Sequence, residues 1–267
     1  MTTLRRRASG ASMGEAVDTH THLNHPRLHR RLPEVLERAR GAGVVGMVVV
    51  GYDMESSRLA VEIAGACPGT WAAVGVHPHD AKTFDREMME ALRALAANRR
   101  VVAVGETGLD FYRDLSPRDR QREAFRRHIG LARELGLPLI VHCRQAQEEV
   151  LAIAGEEGSE RWVWHCFDGA PEQARRAVEL GMWIGFAGTV TYRSSESTRQ
   201  AAAEVPLERM LLETDCPYLS PEPRRGGDNE PANVSLVAEA IARARGVETE
   251  QIIRLCADNA RRAFRLE

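Results

Sequence analysis

Short apolar runs alternate with longer amphipathic stretches along most of the chain. The runs have the length of β-strands, and the stretches between them repeat apolar residues at helical spacing. Strands are predicted at 16–18, 44–50, 71–76, 101–104, 139–141, 162–164, 182–186 and 210–212. Helices are predicted at 33–40, 56–66, 84–97, 117–135, 147–154, 171–180 and 195–203. This alternation is typical of a closed parallel barrel, so the sequence predicts an α/β fold with a single (β/α)8 TIM barrel.

The two ends of the chain depart from this alternation. After the last predicted strand come a Pro/Gly-rich loop at 217–231 and C-terminal helices at 233–245, 249–256 and 258–264. Residues 1–14 are basic and lack the apolar segment of a secretory signal, so we expect a disordered N-terminal extension, with Met13 as an alternative start. No linker divides the remainder, which predicts one domain over 15–267. An open doubly wound sheet is the rival architecture, but no glycine-rich phosphate-binding fingerprint follows the first strand.

The composition indicates which classes of partner and which cellular compartment are compatible with the chain. The chain has 36 Lys and Arg residues against 38 Asp and Glu residues, a net charge of -2, which disfavours coating of nucleic acid by bulk charge. A short contact with nucleic acid in a local pocket stays compatible with this balance. The five cysteines form no CxxC pair, which favours a reducing compartment. No apolar run approaches the roughly 20 residues of a membrane span. We therefore expect a cytoplasmic protein with no membrane contact and no obligate protein partner.

Histidines and carboxylates recur at the carboxyl ends of the predicted strands. They are His20, His22, His77, His79, Glu106, His142, His165 and Asp215. In a parallel barrel these ends converge on one face, where the loops that follow the strands build the active site. Imidazole and carboxylate groups are ligands for zinc, manganese or iron. The joint pattern therefore predicts a metal centre at the mouth of the barrel.

The spacing of His20 and His22 has a physical reason. Residues i and i+2 of an extended segment point to the same side, so both imidazoles can reach one ion. An isolated pair of this kind is more often a structural or surface feature than a pair of metal ligands. The interpretation as a metal site depends on the other strand ends, which deliver further ligand types to the same mouth.

Seven short strings in order along the chain resemble one family. They are DTHTH at 18–22, VHPHD at 76–80, GETGLD at 105–110, IVHCR at 140–144, HCF at 165–167, ETD at 213–215 and NEP at 229–231. The chain is similar, from about Ala16 to Phe264, to the TatD-like metal-dependent hydrolases, the TatD deoxyribonuclease family of the amidohydrolase superfamily. The resemblance implies a TIM barrel, divalent metal ions and hydrolysis, often of phosphodiester bonds in DNA. It implies as metal ligands His20, His22, Glu106, His142, His165 and Asp215.

The ligand set suggests how two divalent ions (Zn, Mn or Mg) would be shared. Glu106 is the best candidate to bridge them, because one carboxylate offers two oxygens. We expect one ion on His20, His22 and Asp215, and the other on His142 and His165. Asp215 could also orient the attacking water or take its proton, which makes Asp215 and Glu106 the candidate catalytic residues. Glu213 either supports a ligand from behind or forms a salt bridge inside the barrel.

Substrate contacts are predicted around the mouth. His77, Arg113 and Arg144 lie in loops where they could hold phosphate oxygens. Asn229 and Glu230, in the loop after the last strand, could contact substrate or cap the loop. Phe111 and Tyr112 could stack on a base or pack the loop.

The predicted activity is metal-dependent ester hydrolysis, with nucleotides trimmed from the 3′ end of single-stranded DNA. One alternative is a small-molecule amidohydrolase or esterase on the same barrel. Many such enzymes bridge their metals with a carboxylated lysine, whereas the only lysine, Lys82, falls in the loop after the third strand. The other alternative is a non-catalytic binding barrel, which loss of a ligand would indicate. Cys143, Cys166 and Cys216 each follow a proposed ligand, so strand alternation predicts that they face the helix layer rather than the metals.

Overall fold

The predicted barrel is confirmed. The computed structural model describes residues 14–266, so the expected disorder of the N-terminal extension falls, apart from Gly14, outside the described residues. Eight parallel strands pair in chain order in one sheet. They are β1 (Ala16–Thr21), β2 (Val44–Val50), β3 (Thr70–Val74), β4 (Val101–Asp110), β5 (Leu139–Arg144), β6 (Trp162–Trp164), β7 (Trp183–Phe186) and β8 (Met210–Leu212). Helices lie between the strands, which gives the (β/α)8 TIM barrel.

The predicted helices are present, with ends that differ from the predicted ones by up to three residues. The helices of the structure are α1 (Pro26–His29), α2 (Leu32–Gly41), α3 (Met54–Ala66), α4 (Arg86–Ala96), α5 (Arg118–Leu135), α6 (Gln147–Glu157), α7 (Pro171–Glu179), α8 (Glu196–Glu204), α9 (Val234–Arg245) and α10 (Thr249–Phe264). The one-turn α1 was not predicted. α4 starts two residues late because Asp85 accepts a hydrogen bond from the Met88 N–H and caps it. The predicted break before Asp258 is wrong, since this exposed residue lies on the outer face of a continuous helix.

Three strands extend further than predicted and carry the candidate ligands within them. β1, β4 and β5 continue beyond their apolar runs, so His20, Glu106 and His142 lie inside strands rather than after them. Each of these strands was predicted to end at the last residue of its apolar run. Parallel pairing nevertheless continues through polar residues, as in the pairing of Asp110 with Arg144.

The barrel closes between β1 and β8 through a short seam. The His22 N–H donates to the Cys216 carbonyl at 2.8 Å, and the Asp215 N–H donates to the His20 carbonyl at 2.9 Å. Side chains complete the seam, because Asp18 accepts hydrogen bonds from the Thr214 N–H at 2.9 Å and from the Thr214 hydroxyl at 2.6 Å. The seam thus joins the two chain segments that carry three candidate ligands.

The core has two layers, one inside the barrel and one between the sheet and the helices. Inward side chains such as Val50, Ile140 and Leu211 pack together and against Phe264 of α10. Outward side chains of the same strands, such as Val49 and Val141, pack with the surrounding helices. The interior is therefore filled by side chains up to the level of the mouth, where the polar residues begin.

Candidate metal centre

The six predicted ligands converge at the centre of the barrel mouth. They are His20, His22, Glu106, His142, His165 and Asp215, and all but His142 are buried. Glu106 lies in the middle of the set, with different histidines facing its two carboxylate oxygens. The roles of these residues as ligands stay predictions, but their side chains are close enough to share ions.

The seam group consists of His20, His22 and Asp215. The Nε2 atoms of His20 and His22 are 3.3 Å apart. His22 Nε2 is 3.3 Å from Asp215 Oδ1, and His20 Nε2 is 3.4 Å from Glu106 Oε2. These ligand atoms lie within 4.8 Å of one another, a spacing that suits a single ion.

The outer group consists of His142, His165 and His77. Around Glu106 Oε1 lie His142 Nδ1 at 2.8 Å, His165 Nε2 at 3.6 Å and His77 Nε2 at 3.7 Å. His165 also touches the seam group, because its ring stacks on that of His20 with centroids 3.6 Å apart. His77 was predicted only as a substrate contact, and the structure places it within reach of the same ion position.

Irregularities in two strands aim the ligands. The register of β1 against β2 shifts between Asp18 and Thr21, and that of β4 against β5 shifts between Val104 and Thr107. Such bulges re-aim side chains and recur beside active sites. In β4 the backbone of Gly105 has a positive φ of 138°, and a Cβ there would lie 2.7 Å from the Ile140 carbonyl oxygen. Glycine is therefore required directly before Glu106.

Partners behind the ligands leave their lone pairs directed into the cluster. His22 Nδ1 is 3.0 Å from the Val50 carbonyl oxygen and donates to it, so Nε2 is free to accept a metal. His165 Nδ1 is 2.9 Å from Glu213 Oε1, so this carboxylate lies directly behind the His165 ring. Glu213 is buried, and its place behind His165 is compatible with the supporting role, which stays a prediction.

Asp110 is a component of the centre that the sequence analysis did not select. Its Oδ2 atom is 2.9 Å from His79 Nε2 and 3.2 Å from His142 Nε2. Its Oδ1 atom accepts hydrogen bonds from the backbone N–H groups of Tyr112 and Arg113. Its position in the string 105–110, at the end of an extended β4, was the available signal. Asp110 therefore links a candidate ligand to the loop that follows the strand.

The charges of the cluster compensate one another. Burial opposes ionisation of Glu106, but the imidazoles of His165 and its neighbours outweigh burial and hold the pKa of Glu106 well below its ordinary value. Burial also disfavours charged histidines. Asp110 and Glu106 nevertheless raise the pKa of His142 to about 9, and Glu213 with Glu106 raises the pKa of His165 to about 10. Ionised carboxylates with nitrogen ligands fit a divalent cation, which would displace those protons on binding.

A cavity of about 950 Å³ opens over the cluster. Three predicted substrate contacts line it, namely His77, Arg113 and Arg144. Among the cysteines, Cys216 is buried in the outer core as predicted, and Cys143 packs there although it also borders the cavity. The prediction is wrong for Cys166, which lines the cavity beside Glu213 because its backbone φ of 47° ends the strand alternation.

The structure does not bring Asn229 and Glu230 into the cavity. Asn229 is fully buried, and its side-chain amide donates to the carbonyl oxygens of Thr214 at 2.9 Å and Tyr218 at 2.8 Å. Glu230 pairs with Arg38 at 2.6 Å on the outside of the loop. Of the two roles considered for them, capping of the loop fits these contacts and substrate contact does not.

Lys82 lies away from the cluster. Its Nζ atom donates to the Leu115 carbonyl at 3.2 Å, and Lys82 is not among the residues that line the cavity. Glu106 occupies the central position that a carboxylated lysine would need. Among the described residues, no helix is long and apolar enough to cross a membrane.

Comparisons with known proteins agree with this geometry. Residues 17–265 match the family "TatD related DNase". The chain is 41% identical over 251 residues to the uncharacterized metal-dependent hydrolase YabD of Bacillus subtilis (strain 168), covering 93% of this chain and 98% of YabD. It is 37% identical over 257 residues to a protein of Klebsiella pneumoniae (strain 342) named 3′-5′ ssDNA/RNA exonuclease TatD, covering 94% and 98%.

A solved structure shares the fold over nearly the whole chain. The crystal structure of YJJV, a TatD homologue from Escherichia coli K12, superposes with a TM-score of 0.91 at 30% sequence identity. The match covers 96% of this chain and 100% of YJJV.

Proposed function

This chain belongs to the TatD-related DNase family of metal-dependent hydrolases, and we propose that it hydrolyses phosphodiester bonds and trims nucleotides from the 3′ end of single-stranded DNA. The name of the Klebsiella relative, an exonuclease of single-stranded DNA and RNA, supports this class of substrate. The near-neutral net charge supports a short contact with the strand rather than a long track. A cytoplasmic location, inferred from the cysteine content, is part of the same proposal.

One observation carries the metal part of the proposal: the two oxygens of Glu106 face two different ligand groups. We propose that Glu106 bridges two divalent ions. The seam ion would be held by His20, His22 and Asp215, and the outer ion by His142 and His165. The ligand atoms of His77, Glu106 and His142 form one compact set, so His77 is a further candidate for the outer ion, while His165 also lies within reach of His20 and Glu106. Such ions, when bound, polarise phosphoryl oxygens and neutralise the charge that develops on them.

Asp215 is the proposed proton acceptor. Its Oδ1 atom faces the seam histidines, while its side chain lines the cavity and stays 13% exposed. Burial raises its pKa, but the hydrogen bond with His22 and the charge of His165 outweigh burial and lower it, so Asp215 is a carboxylate at neutral pH. A carboxylate open to the cavity can orient an attacking water and take its proton.

Arginines at the mouth would position the substrate. Arg113 and Arg144 line the cavity, and among the described residues neither forms an ion pair. Guanidinium groups bind phosphate oxygens in bidentate fashion, so these two residues can hold the phosphate being cleaved or its neighbour.

The test is cleavage of defined oligonucleotides by protein loaded with manganese or magnesium. We expect stepwise shortening of a single strand with a free 3′ end, and protection of the same strand when its 3′ end is blocked. The Asp215→Asn variant, handled identically, controls for contaminating nucleases. Efficient internal cutting of the blocked strand would contradict end trimming. Fast turnover of a lactone or ester without cleavage of any nucleic acid would instead favour the small-molecule alternative.

A further inference from the structure

The tyrosines of this chain are segregated from its other aromatic residues. The sequence contains four tyrosines, and Tyr52, Tyr192 and Tyr218 line the cavity over the metal centre. The fourth, Tyr112, lies in the loop after β4 against Arg144, which also lines the cavity. Tryptophan and phenylalanine, in contrast, are mostly in the core. Packing of the fold does not explain why every tyrosine lies at the mouth.

The mouth also exposes apolar surface. Four large hydrophobic side chains are exposed in the described part of the chain, and three of them are Tyr112, Leu115 and Tyr218. Tyr112 is 54% exposed and Tyr218 is 43% exposed. Exposed apolar side chains gathered at one place indicate a binding surface.

Arginines cover the rings of three of these tyrosines. The guanidinium carbon is 4.1 Å from the ring centroid for Arg144 over Tyr112, and 3.9 Å for Arg225 over Tyr192. Arg27 lies 5.1 Å over Tyr218. Each pair places a flat cation, able to bind phosphate, over one face of an aromatic ring, so a base would stack on the opposite face of the ring or on the plane of the guanidinium group.

The pairs lie on opposite walls of the mouth. Tyr112 and Arg144, which we call the near platform, follow β4 and end β5. The far platform consists of Tyr192 with Arg225 and Tyr218 with Arg27, which extend from the ends of β7, β8 and β1. In a barrel of eight strands in sequential order, β4 and β5 lie opposite β8 and β1. The metal centre lies between the two platforms.

We propose that the two platforms bind unpaired nucleotides on the two sides of the scissile phosphate, with bases stacked on the tyrosines and flanking phosphates on the arginines. The inference rests on the proposed function and adds the position of the strand. It predicts that at least one base on each side contributes to binding. Base stacking is available to every base but not to paired ones, so the platforms select single strands without sequence preference.

A structural role is evident for the hydroxyl group of one of these tyrosines, Tyr192. The hydroxyl of Tyr192 donates to the Ser220 carbonyl at 3.1 Å and so anchors the loop after β8. That bond uses the oxygen and leaves the ring face unexplained. Tyr→Phe variants therefore remove the loop contact and keep the stacking surface, whereas Tyr→Ala variants remove both.

The first test is equilibrium binding of a fluorescein-labelled single strand, measured by anisotropy in the Asp215→Asn background to suppress cleavage. We expect Tyr112→Ala and Tyr192→Ala each to weaken binding about 5- to 100-fold, as loss of one stacked base does. Tyr112→Phe and Tyr192→Phe should each bind within about twofold of the parent, since both keep the ring and Tyr192→Phe removes only the loop contact. Arg118→Ala is the matched control, because Arg118 stacks 4.3 Å over Phe111 and neither residue lines the cavity. Unchanged binding in both alanine variants would overturn the proposal.

The second test locates the bases. Single abasic nucleotides are introduced on either side of the cleaved bond, and kcat/KM is measured for each substrate. Tyr112→Ala should no longer lower kcat/KM when the abasic nucleotide lies on one side of the cleaved bond. Tyr192→Ala should no longer lower kcat/KM when the abasic nucleotide lies on the other side. The proposal would be overturned if both variants responded to an abasic nucleotide on the same side, or if their losses of kcat/KM did not depend on where the abasic nucleotide lies.

A small diester separates this inference from the proposed function. Bis(p-nitrophenyl) phosphate has no base. The fold-loss of activity in the tyrosine variants should therefore be at least about tenfold smaller with this substrate than with the oligonucleotide. Equal losses on both substrates would overturn the platforms and leave phosphodiester hydrolysis standing. Failure of the wild type to hydrolyse any phosphodiester would overturn the proposed function, while tyrosine-dependent oligonucleotide binding would still support the platforms.

Discussion

The two halves of the candidate metal centre are supported in different ways. The seam group is supported mainly by backbone, because His22 Nδ1 contacts the Val50 carbonyl and backbone hydrogen bonds join both histidines to the segment after β8. The outer group is supported by side chains, since Asp110 contacts His142 and Glu213 contacts His165. One half is thus part of barrel closure, and the other depends on carboxylates behind the ligands.

This difference has a functional consequence. Asp110 holds His142 with one oxygen and the loop N–H groups of Tyr112 and Arg113 with the other. The outer half is therefore linked to the near platform through Asp110, whereas the seam half is linked to the far platform through Tyr218, whose N–H donates to the Asp215 carbonyl at 2.9 Å. The following predictions test this distinction, from the largest expected effect to the smallest.

Asp215→Asn should cause the largest loss, because this carboxylate belongs to the seam group and is the proposed proton acceptor. We expect kcat to fall by about two to four orders of magnitude, as removal of a positioned base does. The fold should persist, because the backbone hydrogen bond from Asp215 to His20 does not involve the side chain. Steady-state kinetics and circular dichroism measure both properties. A loss below tenfold would remove Asp215 from this role.

His128 should make the stability of the fold sensitive to acid. Its Nε2 atom accepts the N–H of Val76, next to His77, and its burial lowers its pKa to about 4 from 6.5. Because the folded protein disfavours the charged form of His128, the neutral ring contributes its full stabilisation above pH 6.5. This contribution to the free energy of unfolding is lost as the pH drops from 6.5 to 4. The full loss is about 3 kcal/mol.

The measurement for His128 is urea unfolding between pH 4 and pH 7.5 in the wild type and in His128→Gln. Glutamine retains an acceptor for the Val76 N–H but does not titrate. The wild type should lose about 3 kcal/mol more than the variant over this range. Parallel pH profiles would show that His128 does not titrate on unfolding as described.

Asp110→Asn should weaken the outer ion selectively. Residues that orient a ligand from behind typically change metal affinity by about 10- to 100-fold. Calorimetric titration with Mn²⁺ should show one weakened and one unchanged binding event. Asp80→Asn is the control, because this carboxylate lines the same cavity and makes no contact with a ligand histidine among the described residues. Equal weakening of both events would contradict the division into two halves.

The sequence predicted the fold because apolar runs and helical spacing mark the buried faces of strands and helices. It placed the ligands at the mouth for the same reason, since each follows or ends an apolar run. It misplaced the ends of β4 and β5, where pairing continues through polar residues such as Asp110 and Arg144. Hydropathy cannot show such pairing, because these side chains face a polar mouth.

The details of the site depended on backbone geometry that the sequence does not display. The register of β1 shifts beside His20 and that of β4 shifts beside Glu106, and the φ of 47° at Cys166 turns its thiol toward the cavity. Asn229 is polar and sits in the loop after β8, which suits both substrate contact and capping. Only the position of its amide, between two carbonyl oxygens, distinguishes them.

The central claim is that Glu106 bridges two ions, one in each half. Anomalous scattering from crystals grown with Mn²⁺ or Zn²⁺ tests it most directly. Two peaks are expected, one beside His20, His22 and Asp215 and one beside His142 and His165, each about 2.0–2.2 Å from a different oxygen of Glu106. A single peak, or two peaks of which one lies out of contact with Glu106, would contradict it.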